Sequence, residues 1–330
     1  MTSRHAVRAH TNIALVKYWG KENDELIIPL TGSISMTLDA LYTETQVTFN
    51  ENFTEDVFYL DDEKQSGKSL DKVIGIIDLV REQAGIACKA EVISYNHVPT
   101  AAGLASSASG IAALAAATSR AAGLDLSDIE LSRLARRGSG SASRSIYGGL
   151  VEWEKGHDDK TSFAKQIDPA DWGLGMFVIV NNRSKKKMSS RQGMKQTVDT
   201  SAYINAWIET TTQDIMDMKD AINARDFVAM GEITERSAYK MHATTMGAEP
   251  PFTYLEPASL EGLTFVRKLR EKGLLAYATM DAGPNVKILV QSKDRQAIED
   301  ALIEAFGRDK IIYSEVGSGI QDIECFEGAQ

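Results

Sequence analysis

Residues 89 to 117 confine this chain to folds in which a strand feeds directly into a helix. Lys89-Ala-Glu-Val-Ile-Ser-Tyr95 reads as a strand, and Ile111-Ala-Ala-Leu-Ala-Ala-Ala117 is built from strong helix formers. Between them lies Pro99-Thr-Ala-Ala-Gly-Leu-Ala-Ser-Ser-Ala-Ser-Gly110. At such a junction free backbone N–H groups and the positive end of the helix face outward, which suits phosphate. Small side chains let phosphate approach the backbone, and Ser106 and Ser107 add hydroxyls for phosphate oxygens or a metal ion. A Walker A loop is excluded, because the lysine after its second glycine is missing. Taken alone, Gly-Leu-Ala-Ser-Ser is equally a closely packed helix start.

The 330 residues suffice for two domains with a substantial core. Apolar content of 43% and charged content of 25% are ordinary for a soluble globular protein. A formal net charge of -10 argues against nucleic acid as a partner, yet it allows a local basic site for an anionic small molecule. Cys88 and Cys325 form neither a metal spacing nor a disulfide framework, which fits a reducing cytosol. The first residues lack an apolar signal core and no run approaches membrane-spanning length, so the expectation is a cytoplasmic protein without a membrane partner.

Strand-like pieces at 6–10, 33–38 and 44–49 precede a helical run over 69–82, with Val73, Ile76, Ile77 and Val80 on one face. Ser127 and Glu130 form a capping-box signature, with Leu126 and Leu131 as its staple, and the helix that follows is expected to stop at Gly138. A strand at 148–153 ends the first half. The second half runs strand (176–180), helices (204–222, 227–246, 257–272), strands (274–279, 286–290), helix (295–306) and strand (311–314). That is a ferredoxin-like order with an enlarged first crossover. The division between domains is expected near 183/184.

Four further segments carry chemistry. Asn12-Ile-Ala-Leu-Val-Lys-Tyr-Trp-Gly-Lys21 ends an apolar strand in Lys17, Tyr18, Trp19, Gly20 and Lys21: a ligand-facing turn, or an edge with solvated lysines. Gly138-Ser-Gly-Ser-Ala-Ser-Arg144 offers backbone donors, hydroxyls and a guanidinium able to grip a carboxylate or phosphate with two prongs. No acidic residue lies between Leu131 and Val151, while Arg133, Arg136, Arg137 and Arg144 do; a flexible basic loop is the plainer reading. Arg183-Ser-Lys-Lys-Lys-Met-Ser-Ser-Arg191 concentrates positive charge within a stretch, 172–198, that contains no carboxylate. Met280-Asp-Ala-Gly-Pro-Asn285 places Asp281 in a sharp turn, where an aspartate is commonly only a turn residue. The histidines show no zinc spacing, and His97, beside the small-residue loop, reads as structural.

The loop resembles the phosphate loop of the GHMP kinase superfamily, and the segments together, in this order, resemble the mevalonate diphosphate decarboxylase family across nearly the whole chain. Ser143 stands where fungal and animal members tend to carry cysteine, so the bacterial branch looks closer. The resemblance implies an α+β chain: an N-terminal domain of the ribosomal-protein-S5-like type (1–183), a C-terminal ferredoxin-like domain (184–330), and an active site in the cleft between them. It implies ATP and Mg²⁺ with (R)-5-diphosphomevalonate as substrate, and a homodimer. Asp281, Lys17, Arg144 and Ser106 would be catalytic. Tyr18, Trp19, Gly20, Lys21, Ser139, Gly140, Ser141, Ala142, Ser143, Arg144, Ser190 and Arg191 would bind the substrate. Ser94, Asn96, Gly103, Leu104, Ala105, Ser106, Ser107, Ala108 and Lys187 would bind the nucleotide, with Ser107 reaching the metal. A superfamily kinase without decarboxylation and a non-catalytic ligand sensor are the two rival readings.

Overall fold

The computed structural model describes residues 2–97, 106–181 and 188–326. Two sheets organise it. In the first, Thr2–Val16 and Ser33–Asn50 pair antiparallel along nearly their whole length, with Lys89–His97 and Val57–Leu60 continuing on one side. The strand pieces expected at 33–38 and 44–49 are one strand interrupted by a bulge. His10 faces Tyr42 while Thr11 faces Leu38, which leaves Asp39, Ala40 and Leu41 unmatched. A bulge bends the strand that carries it. Beyond the bend, Leu150–Trp153 and Ala164–Asp168 extend the sheet beside Ser33–Met36.

Helices Lys68–Ala84, Ser106–Ala121 and Asp128–Gly138 cover one face of this sheet. Val7, Val47 and Val92 from the strands meet Ile76, Ile77 and Val80 from the first helix and Ala112, Ala113 and Ala116 from the second. Alanine at these positions lets the second helix lie close to the sheet, which fixes where its N-terminus points. The Ser127–Glu130 capping box forms as expected, with Glu130 Oε2 accepting from the Ser127 amide at 2.9 Å.

The second sheet runs Ala276–Met280, Val286–Gln291, Leu174–Ile179, Ile311–Glu315, all antiparallel. In chain order this is 2-3-1-4, the ferredoxin-like arrangement, and the first crossover carries the four helices Ser190–Thr200, Ile204–Asn223, Phe227–Met246 and Pro257–Glu271. Leu174–Ile179 is apolar throughout because both its faces are covered. Met176 and Val178 pack on Ile13, Leu15, Ile34 and Met36 of the first domain, while Phe177 and Ile179 pack on Leu263 and Val266. Pairing thus assigns this strand to the C-terminal half, upstream of the division expected at 183/184. Gln321–Ile323 returns to the first sheet beside Ala6–Arg8. Three polar-leaning residues give no periodicity, so the sequence does not announce that strand.

The helix stops at Gly138 as expected, but the glycine is there for a reason other than a left-handed cap. It is the last residue of its helix, its φ is not left-handed, and Ser139 beyond it is extended. A Cβ there would stand 2.7 Å from Ile111 Cγ2 and 3.1 Å from Ile76 Cδ1. The glycine therefore serves close packing of three helices. Gly138→Ala is expected to lower unfolding free energy by about 1–3 kcal/mol through overpacking. Denaturant titration checks this, and an unchanged midpoint would refute the packing account.

Candidate active site

A cleft of about 880 Å³ opens between the domains. The first strand delivers Lys17 to its floor with 1% of the residue exposed. Lys17 Nζ donates to Ala14 O at 2.8 Å and to Asp281 Oδ1 at 2.7 Å, so a first-domain ammonium meets a second-domain carboxylate. Burial pushes the Lys17 ammonium down to about 8, with Asp281 opposing that drop. It is still predominantly charged at neutral pH.

Asp281 follows the strand Ala276–Met280, and its turn is held from several sides. The Gly283 amide donates to Asp281 O at 2.7 Å, Asn181 Nδ2 donates to Pro284 O at 3.0 Å, and Ser259 Oγ donates to Pro284 O at 2.6 Å. The second carboxylate oxygen, Oδ2, lies 3.0 Å from Lys287 Nζ. Burial alone would raise the carboxyl's pKa; Lys17 and Lys287 outweigh it and hold the group far below the ordinary carboxylate range.

Arg144 lies on the short helix Gly140–Ile146 and is 2% exposed. Its Nε donates to Asn12 Oδ1 at 3.1 Å and its Nη1 to Ser33 Oγ at 2.7 Å. Asn12 is fixed in turn by donating to Ser145 Oγ at 2.7 Å. Nη2 carries no protein partner among the described residues and is available to a ligand in the cleft that Arg144 lines. Burial pulls the guanidinium pKa down to about 10, which leaves it charged at neutral pH. Lys17, Lys287 and Arg144 thus surround one carboxylate, a surplus of two positive charges on the floor of an acidic protein.

Tyr18, Lys21, Ser139, Gly140, Ser141, Ser190 and Arg191 also line the cleft. Gly140 must be glycine: a Cβ would stand 2.7 Å from Trp153 and 3.0 Å from the Tyr18 hydroxyl. Ser190 and Arg191 open the helix Ser190–Thr200, whose N-cap is Ser189. Across from them stand Lys68 and Lys72, with Asp71 between, on the first helix. Burial pushes the Lys72 ammonium down to about 8, and nearby Arg191 adds to the effect.

Several expected contacts are not made by the side chains. Trp19, 1% exposed, edges the cleft, but its indole is committed to packing with Trp207, Met241 and Tyr254 and donates to Thr197 Oγ1 at 2.8 Å. Gly20 does not line the cleft; its φ of 96° and a Cβ position 2.6 Å from Leu30 Cδ1 make it a turn residue. Ala142 belongs to the helical core, and Ser143 Oγ donates to Gly140 O at 2.7 Å, so both support the loop from behind. Ser94 pairs with Thr45 and Asn96 with Thr43 and Asp61, all outside the cleft lining. Alternation along Lys89–His97 puts both side chains on the face of Val92, under the helices, where they bond across to Thr45 and Thr43. Ser107 lines the cleft, whereas the Ala108 side chain is buried. Gly103, Leu104, Ala105 and Lys187 lie outside the described residues, as does the Ser106 side chain. His97 pairs with Glu44 at 2.9 Å and stacks on Tyr42, the structural role expected of it.

Sequence reasoning missed Lys287, Asn12, Ser33, Lys68 and Lys72. Lys287 carried a usable signal, a lone lysine within the apolar strand Val286–Gln291. Lys68 and Lys72 sit one helical turn apart at the start of an amphipathic helix, a spacing that equally describes a solvated face. His242, buried beside the ion cluster, was also unanticipated; burial holds it neutral, down to about 4.

No group of three His, Cys, Asp or Glu side chains able to hold a metal exists among the described residues. Magnesium bound mainly through ligand phosphates and water needs no such group, and the cleft-lining Ser107 hydroxyl at a helix start fits it.

A ferredoxin-like domain joined to a helix-covered sheet, with a cationic inter-domain cleft at the start of an alanine-rich helix, defines a two-domain protein of the GHMP kinase type. Residues 9–164 match the diphosphomevalonate decarboxylase-like N-terminal domain, and residues 176–325 match the mevalonate 5-diphosphate decarboxylase C-terminal domain. The chain belongs to the diphosphomevalonate decarboxylase family. A solved structure described as MDDEF in complex with MVAPP, AMPPCP and magnesium is 50% identical with a TM-score of 0.95, covering 98% of this chain and 100% of that one. Mevalonate diphosphate decarboxylase from Staphylococcus aureus is 51% identical with a TM-score of 0.95, covering 98% and 99%. The diphosphomevalonate decarboxylase of Bos taurus is 38% identical over 303 residues, 85% of this chain and 75% of the relative.

Arg144→Lys tests the guanidinium geometry. Lysine keeps a charge but cannot donate to Asn12 and Ser33 while still presenting a free edge to the cleft. Activity is expected to fall on the order of a hundredfold. Near-normal kcat/KM would reduce Arg144 to one part of a general positive field.

Proposed function

We propose that diphosphomevalonate lies across the cleft with its carboxylate on Arg144 and its 3-hydroxyl on Asp281. Its diphosphate is held by Tyr18, Lys21, Ser139, Gly140, Ser141, Ser190 and Arg191. ATP approaches from the segment Gly103–Ala108, with Ser106, Ser107 and Lys187 against its phosphates. The activity of this family, and of the chain as its member, is ATP-dependent decarboxylation of diphosphomevalonate to isopentenyl diphosphate in the mevalonate pathway. The observation that carries the residue roles is Asp281 gripped between Lys17 and Lys287, in the same cleft as the free edge of Arg144.

The reaction transfers the γ-phosphoryl group to the 3-hydroxyl oxygen. The carbon–oxygen bond then breaks with loss of phosphate, and the bond to the carboxyl carbon supplies the electrons of the new double bond as carbon dioxide leaves. Asp281, with both oxygens engaged by ammonium groups, is a weak base toward a free alcohol. Phosphoryl transfer through a loose transition state needs little base early, because the attacking oxygen loses its proton late. Asp281 therefore orients the hydroxyl and accepts its proton once the bond to phosphorus has formed. Lys17 and Lys287 stabilise the negative charge that gathers there as phosphoryl arrives and phosphate leaves. Arg144 fixes the carboxylate so that the bond to be broken stays aligned with the departing oxygen. Magnesium, when bound, neutralises phosphate charge. The free thiols of Cys88 and Cys325 support a reducing cytosolic setting, and the proposal retains a homodimer from the family resemblance. Greater identity to the Staphylococcus structure than to the cattle sequence supports the bacterial branch.

Asp281→Asn preserves size but abolishes the charge. It is expected to cut turnover by at least 10²-fold with diphosphomevalonate affinity near wild type, and to lower the melting temperature, because the buried Lys17 and Lys287 lose their carboxylate. ADP and carbon dioxide measured together test the reading. Wild type should release them in equal amounts, and ADP without carbon dioxide would indicate a kinase. An Asn variant within about tenfold of wild type would remove Asp281 from the chemistry.

A further inference from the structure

Lys287 is a lysine in a place where the fold has no use for one. It sits on the second strand of an apolar sheet, between Val286 and Ile288, opposite Thr279 on one neighbouring strand and Val178 on the other. It is 3% exposed, whereas lysine is almost never fully buried unless paired. Its ammonium reaches Asp281 Oδ2 at 3.0 Å and Asn285 O at 3.4 Å, and it lines the cleft. Lys17 already occupies the other carboxylate oxygen at 2.7 Å.

A purely structural ion pair does not account for this. Lys17 already supplies Asp281 with an ion-pair partner, and a buried ion pair is often replaced by apolar residues without loss of stability. What a second ammonium on the second oxygen adds is geometry. A carboxylate held on one oxygen can still rotate about the Cβ–Cγ bond, whereas one held on both oxygens cannot.

We propose that Lys287 is a positioning residue for the reaction, acting through Asp281. Lys287 and Lys17 together hold the carboxylate in one orientation and one charge state for the 3-hydroxyl. The proposal rests on the role assigned to Asp281 above.

Among the described residues, the groups facing Asp281 are few. Lys17 comes from the first strand, Lys287 from the adjacent strand and Arg144 from the short helix, and His242 from the helix Phe227–Met246 is neutral. In wild type the carboxyl ionises well below its usual range, so kcat should have no acid limb from Asp281 above that range. Removing Lys287 leaves burial, which favours the neutral acid, opposed by one adjacent ammonium in place of two. The folded-state pKa then rises, and activity is lost as pH falls through it.

The experiment compares Lys287→Met, Lys287→Gln and Lys287→Arg with wild type and with Asp281→Asn. kcat and KM for diphosphomevalonate are measured at saturating ATP and magnesium from about pH 5 to 9, with melting temperatures on the same preparations. The Met and Gln variants are expected to lose at least tenfold in kcat across that range, with KM within about threefold. Their melting temperatures should hold, and Arg should restore most of the rate. A normal kcat in the Met and Gln variants would overturn the proposal. So would a rate loss that tracks a lowered melting temperature, or a raised KM with kcat intact. An active Asp281→Asn enzyme would instead sink the underlying role of Asp281, which keeps the two failures distinguishable.

Discussion

The ion cluster at the cleft floor is the constraint on which the rest of this structure depends. Lys17 belongs to the first domain, Asp281 and Lys287 to the second, and neither ammonium could be buried at tolerable cost without the carboxylate between them. Their mutual proximity requires the end of the first strand and the turn after Met280 to meet within hydrogen-bond distance. The bulge at residues 39–41 bends the first strand pair. Ile13, Leu15, Ile34 and Met36 then pack on Met176 and Val178, so an apolar inter-domain core sets the charges in place. Asn181 and Ser259 pin the Asp281 turn from the other side.

The same cluster explains how a protein of net charge -10 can receive polyanions. The acidic surplus is carried by the surface at large, while among the described residues the floor sets Lys17, Lys287 and Arg144 around Asp281. These cations are fixed before any ligand arrives: Arg144 by Asn12 and Ser33, Lys17 by Ala14 O and Asp281. Preorganised charge costs no reorganisation when phosphoryl transfer builds negative charge at the 3-oxygen.

Much of this was legible in the sequence, for identifiable reasons. The helices at 227–246 and 295–306 were read with the observed ends, and the ferredoxin-like order followed from the sequence of elements. Lys17, Arg144 and Asp281 were singled out by the family resemblance, since their local readings left open an edge lysine, a basic loop and a turn aspartate. Trp19 and Gly20 misled because a short motif records which residues recur near a site, while packing decides which of them face it. Ser94 and Asn96 misled in the same way, since their side chains are taken up by cross-strand bonds to Thr45 and Thr43. Lys287 carried one local signal, a lone lysine in an apolar strand, but the sequence does not show that the turn after Met280 brings Asp281 back onto it. The strand at 321–323 is too short and too polar for any periodicity to show.

The central claim is that Asp281 rests as a carboxylate clamped by two ammonium groups. Carbon-13 NMR of side-chain carboxyls, with the Asp281 resonance assigned by comparison with Asp281→Asn, tests it in the ligand-free protein. The account predicts a shift that stays at the ionised value from about pH 8 down through the ordinary aspartate range near pH 4. A titration step centred at or above about pH 4 would contradict it, because a carboxyl free to take a proton there is not held between Lys17 and Lys287.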